Sequence, residues 1–311
     1  MKNLVFVLSW INLIASLPID YDQIIFPDDK RLNKIIGKIE ELKFDRSNLL
    51  DDPNLLKSEN LTEEFLFDME ADSKFEHGNH FQGDIVLLDE QKKFLNSSVN
   101  EKSGDIGART GLIWEAYRWP KNKNGRATIP YEISNVFSYR DKVRIILAMT
   151  DLQRYTCVQF IKRTYEKDYV QFFSGDGCFS NIGRIGGVQY ISLQKRGCLG
   201  RGTILHELIH TLGYDHMQNH SDRDSYVFIL WNNIIEKQKN NFKKDNIRKF
   251  SNFGTPYDYY SVMHYEPYTF SKNGKPTIIP TDAKYNSVIG QRNSLSAGDA
   301  ERINIMYKCK Q

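Results

Sequence analysis

The run HELIHTLGYDH, from His206 to His216, constrains this chain more than any other stretch, because it sets three imidazoles and a carboxylate within reach of one divalent cation. On a helix of about 3.6 residues per turn, His206 and His210 share a face one turn apart, with Glu207 offset beside them. Gly213 can take the positive φ that ends a helix and turns the chain back, which brings His216 round as a third nitrogen donor. Three protein donors leave a fourth position open. That is the arrangement of a catalytic zinc site, whereas structural sites close all four positions, usually with sulfur. The competing reading is a surface helix that happens to carry three histidines, and the placement of Gly213 and His216 argues against it.

The chain has 311 residues, enough to bury a substantial core without staples. Its 42 basic and 39 acidic residues are spread along the sequence and leave a formal charge of +3, so no basic face for nucleic acid is expected. Met1 to Ser16 shows a positive residue, an apolar run from Leu4 to Ala15 and small residues before Pro18, the pattern of a cleaved secretory signal. No later segment is apolar for long enough to serve as a membrane anchor, and the protein is expected to be secreted. Cys157, Cys178, Cys198 and Cys309 suit an oxidising compartment and allow three pairings. The expected pairs are Cys178 with Cys198 and Cys157 with Cys309, against the alternative of four free buried thiols. Asn60, Asn96 and Asn219 open glycosylation sequons.

From Leu17 to about Arg109 the sequence is charged and irregular, with short amphipathic pieces such as Leu32 to Phe44, and reads as a segment that covers something else. Beyond Trp119 the character changes. Thr128 to Ser134, Cys157 to Arg163, Tyr169 to Phe173 and Gly187 to Leu193 read as strands. Ser138 with Asp141 caps a helix carrying Val143, Ile146, Leu147 and Thr150 on one face. The histidine helix runs from about Gly202 to Leu212, Ser225 to Lys237 is helical in pattern, and Ser296 with Asp299 caps a last helix through Met306. The expected fold class is α+β and two-lobed. A mixed sheet with helices forms the first lobe, a mostly irregular second lobe ends in a helix, and the histidine helix lies at the cleft between them.

At this point the residues resemble the astacins, zinc endopeptidases of the metzincin clan. The resemblance rests on HELIHTLGYDHMQNHSDRD from His206 to Asp224, the turn SVMHY from Ser261 to Tyr265, and the Cys178 to Cys198 spacing. It implies that His206, His210 and His216 bind one Zn²⁺ and that Glu207 is the general base and later proton donor. Tyr265 resembles the family's additional tyrosine, which stabilises the tetrahedral intermediate; the plainer reading is a buried tyrosine with a satisfied hydroxyl. Met263 resembles the Met-turn residue beneath the metal, a packing role. Phe81-Gln82-Gly83-Asp84 resembles the propeptide motif F-x-G-D, in which Asp84 would take the open metal position in the zymogen only. On its own that motif reads equally as a turn before the apolar run Ile85 to Leu88.

The resemblance divides the chain into a signal peptide at 1–16, an inhibitory propeptide at 17–109 and a protease domain at 110–311. Cleavage after Arg109 would suit a trypsin-like activating protease. Substrates would be proteins or peptides, and the chain reads as a monomer without nucleic acid, membrane anchor or adhesion module. Three positions depart from the family pattern. Met217 stands where a glutamate usually helps bind the new N-terminal ammonium, His220 stands where arginine is usual, and Lys121 to Arg126 lengthens a connection. Three ligands already account for the metal, so His220 is not assigned to it. A contrasting reading is a non-catalytic secreted binding protein on a protease fold; the intact Glu207 and Tyr265 oppose it.

Overall fold

Alternation of apolar and polar residues builds a six-stranded sheet whose inner face is covered by two helices. A computed structural model describes residues 73–96, 111–112, 115–245, 250–251 and 253–310. The expected signal peptide, the piece Leu32 to Phe44, Asn60 and the proposed cut after Arg109 lie outside those residues. In chain order, Ile85–Val86 (β1) and Asp89–Asn96 (α1) are followed by Gly111–Leu112 (β2), Ala127–Ile133 (β3), Tyr139–Tyr155 (α2) and Val158–Lys162 (β4). Tyr169–Phe173 (β5), Cys178–Asn181 (β6), Val188–Leu193 (β7) and Arg201–Leu212 (α3) complete the first lobe. The sheet order is β1-β6-β7-β5-β3-β4, and all pairs are parallel except β6 with β7.

Ala127, Ile129, Val158, Phe160, Val170, Phe172, Ile191 and Leu193 form the buried face of the sheet. Against them α2 buries Ile145, Ala148, Met149 and Leu152, each fully buried side chain of Val, Leu, Ile or Phe size being worth about 1.5–3 kcal/mol. This corrects the expected face of α2, since Val143, Ile146, Leu147 and Thr150 are only half-buried. The capping box is as expected, with Ser138 Oγ accepting from Asp141 N. A bidentate pair from Arg201 Nε and Nη2 to the Asp151 carboxylate, at 2.5 and 2.7 Å, ties α3 to α2. Strand β6 was not anticipated by the alternation pattern, which four residues beside a disulfide are too few to display.

The second lobe contains Val227–Ile229 (β8), Phe250–Ser251 (β9), Ile278–Pro280 (β10) and Ala297–Met306 (α4), joined by turns and short 3₁₀ segments. Ser225 to Lys237 is therefore not helical, correcting the sequence reading. Val227 to Ile229 pairs antiparallel with β10, and short 3₁₀ turns follow. Cys157–Cys309 and Cys178–Cys198 are bonded as expected, with Cα separations of 5.4 and 5.6 Å. Among the described residues no helix is long and apolar enough to cross a membrane.

Candidate metal centre

Helix α3 is covered on all sides, and every residue from Gly202 to Leu212 is buried. Its imidazoles therefore lie inside the protein, with His206 and His210 wholly buried. Gly213 ends the helix with φ 111°, its N–H bonded to the carbonyls of His210 and Ile209. The reversal brings His216 alongside. The Ser261–Tyr265 turn comes up from the other side, fastened by Met217 N to Met263 O at 3.0 Å. Met263 is buried there, in the packing role expected of it.

Each ligand candidate is held through its Nδ1. His206 Nδ1 lies 2.9 Å from Val262 O, His210 Nδ1 2.6 Å from Tyr214 O, and His216 Nδ1 2.8 Å from Gln82 Oε1. Carbonyl oxygens only accept, so each Nδ1 carries the proton and each Nε2 presents a lone pair. The three Nε2 atoms converge, with 3.0 Å between His206 and His210 and 3.2 Å between His206 and His216. Asp84 closes the group, its Oδ2 3.2 Å from the Nε2 of His206 and of His216 and its Oδ1 3.5 Å from that of His210. Three lone pairs and a carboxylate facing one point repel each other unless a cation lies between them. Tetrahedral zinc, with bonds of about 2.0–2.1 Å to nitrogen, requires N–N separations of about 3.3 Å, close to those found. The four residues thus fit one zinc ion. Burial also pushes His206 and His216 toward the neutral form that ligation needs: His206 is lowered, and His216 falls to about 3.

Glu207 is fully buried beside the histidines, and among the described residues neither carboxylate oxygen has a partner within hydrogen-bond geometry. Burial, reinforced by the nearby Asp84 carboxylate, raises its pKa well above the usual range. Ser180 Oγ donates to the Glu207 carbonyl at 3.1 Å and fixes the backbone there. Tyr265 places its ring 4.5 Å from that of His216 and donates its hydroxyl proton to Gln82 O. All six residues singled out from the sequence therefore meet in one place. Gln82, which contacts both His216 and Tyr265, was missed, since the middle position of F-x-G-D carries no residue signal.

His220 stays out of the cluster: its ring packs 5.7 Å from Tyr257, and its Nδ1 accepts from Asp222 N. Asn219 is wholly buried, so its sequon leaves no room for a glycan in this fold. Met217 lies with its sulfur 3.7 Å from Arg302 Nη1, and Arg302 is paired in turn with Asp299 at 2.5 Å. At that departure from the family pattern the adjoining charge is thus an internal guanidinium with its own carboxylate.

An α+β domain with three histidines converging from one helix and its return, beside a buried unpartnered glutamate, defines a metallopeptidase of the three-histidine class. The peptidase family described as Astacin matches residues 115–308. High choriolytic enzyme 1 of Oryzias latipes is 44% identical over 193 residues, covering 62% of this chain and 70% of that protein. An astacin-like metalloendopeptidase of Gallus gallus is 41% identical over 221 residues, 70% of this chain and 53% of its own length. Zinc metalloproteinase nas-13 of Caenorhabditis elegans is 38% identical over 242 residues, 76% of this chain and 52% of its own length. The chain thus matches about half the length of those last two relatives. The solved structure of the Oryzias latipes hatching enzyme superposes with a TM-score of 0.61 at 42% identity, covering 66% of this chain and all of that one. The chain belongs to the astacin family, whose cofactor is zinc.

Proposed function

We propose that this protein is a secreted zinc endopeptidase made as an inactive precursor, with residues 1–16 as signal peptide, 17–109 as inhibitory propeptide and 110–311 as a monomeric protease domain. Cleavage near Arg109 by an activating protease would release it. The observation that carries the reading is Glu207, a fully buried carboxylate without a hydrogen-bond partner among the described residues, beside three convergent imidazoles. An ionisable group left unpaired in a core costs stability, and its retention points to use.

When bound, zinc supplies a Lewis acid that activates water and polarises a carbonyl. His206, His210 and His216 would hold it through Nε2. Glu207 takes a proton from water at its free carboxylate and returns it to the leaving amine; its raised pKa suits both transfers. The Tyr265 hydroxyl keeps its proton, because burial raises its pKa well above the usual value. It donates that proton to a main-chain carbonyl of the covering segment, the same bond a scissile carbonyl would accept. Asp84 lies among the imidazoles and fills the place a substrate needs.

The test is Glu207→Ala in the cleaved protein. Zinc content should stay at one ion per chain while casein hydrolysis falls by about 10²–10⁴-fold. Undiminished hydrolysis rejects Glu207 as the base.

A further inference from the structure

Residues 76–84 form a closed loop over the metal centre that is anchored at both ends. At one end is Asp84. At the other, the Glu76 carboxylate receives Arg292 Nη2 at 2.5 Å and Nε at 3.0 Å, and the two side chains are only 2% and 7% exposed. Burial would raise the Glu76 carboxyl, but the guanidinium outweighs it and holds the group at about 2, so the pair is ionic throughout the physiological range. Arg292 is itself rigidly placed. Its carbonyl accepts from Gly202 N in the first turn of α3 at 3.1 Å, and a Cβ on Gly202 would lie 2.0 Å from that oxygen. Its Nη1 donates to His264 O beside Tyr265.

The loop between the anchors is stiff. Phe81 and Ile85 exchange both main-chain bonds, and a Cβ on Gly83 would come within 2.9 Å of Glu76 O, so the ends of the loop are packed on each other. The His77 ring rests 5.0 Å from Phe270, adding a contact between the locks.

Resting on the reading of residues 17–109 as an inhibitory propeptide, we propose that Glu76 and Arg292 form a second lock of the precursor, beside the contact of Asp84 with the imidazoles. A buried, bidentate ion pair is lost steeply when one partner is neutralised, because the other charge stays buried and unpaired. With two anchors, loss of either leaves the segment tethered by the other. Removal of the segment opens both and leaves Arg292 facing the cleft without Glu76.

The experiment uses full-length, zinc-loaded precursor carrying Glu76→Gln, Asp84→Ala or both. Hydrogen exchange of residues 73–86 and hydrolysis of a quenched fluorogenic peptide are read before cleavage. Glu76→Gln should speed exchange around residues 73–78 by about tenfold or more. Asp84→Ala should leave that end protected, and the double variant should hydrolyse peptide faster than either single one. After cleavage the Glu76→Gln chain is the same molecule as wild type and should match its activity, which shows that the protease domain had folded. Wild-type exchange at 73–78 in Glu76→Gln overturns the second lock. If peptide hydrolysis is the same before and after the segment is removed, the inhibitory reading fails instead, and exchange still decides whether the lock exists.

Discussion

Gln82 spends two groups on the metal centre and has an unusual backbone to do so. Its Oε1 receives the Nδ1 proton of His216, its carbonyl receives the Tyr265 hydroxyl, and its φ is 50°, a conformation uncommon for residues other than glycine. The other two histidines take main-chain carbonyls from the protease domain itself. His216 alone borrows its acceptor from the covering segment. An outer partner of this kind fixes ring orientation and is worth about 10–100-fold in metal affinity. Gln82→Ala should therefore weaken zinc retention of the uncleaved chain by about that factor, measured by competition with a chromogenic chelator. Retention equal to wild type would mean that the Oε1 contact does not orient the ring. Once cleaved, the variant and the wild type should bind zinc alike.

Helix α4 shows how an element can serve a site it does not line. Asp299 closes the capping box with Ser296, and its carboxylate also accepts from Ser261 Oγ at 2.6 Å and Val262 N at 2.9 Å. Val262 in turn holds His206 through its carbonyl, so the start of α4 sets the position of a ligand through the backbone of one residue. Asp299→Ala would leave the buried Arg302 guanidinium with the more distant Asp258 carboxylate, 3.9 Å away, in place of a direct partner, at a cost of up to about 3–5 kcal/mol. Urea unfolding of the cleaved protein should show a loss of that order together with faster zinc release; a variant as stable as wild type would refute the clamp. Both capping boxes were legible in the sequence, because their chemistry lies within four residues. The buried face of α2 was not, since apolar residues occur on both sides and only the sheet decides which side is covered. Ser225 to Lys237 misled for a related reason. Its helical spacing is overridden at Val227–Ile229 by pairing with Ile278–Pro280, some fifty residues later, which no local pattern records.

At the scale of the molecule, the centre gathers residues distant in the chain. Asp84 and His216 are 132 positions apart, and the Ser261–Tyr265 turn comes from the second lobe. The Cys157–Cys309 bond ties Cys309, beyond α4, back to the sheet lobe. Zinc would join the helix and its return there, and a ligand that binds only the folded state stabilises it by mass action. With free zinc at a thousandfold excess over Kd the gain is about 4 kcal/mol. For a domain of this size each kcal/mol moves the midpoint by about 2–4 °C, so chelation should lower Tm of the cleaved protein by roughly 8–16 °C. Re-addition of zinc should restore it. The uncleaved chain should lose its metal more slowly, because Asp84 and Gln82 cover the three imidazoles on the cleft side. Calorimetry of both forms with and without chelator separates the two contributions. An unchanged midpoint in the cleaved form would show that the three imidazoles hold their geometry without the ion, and that packing around α3 alone sets the stability of the cleft.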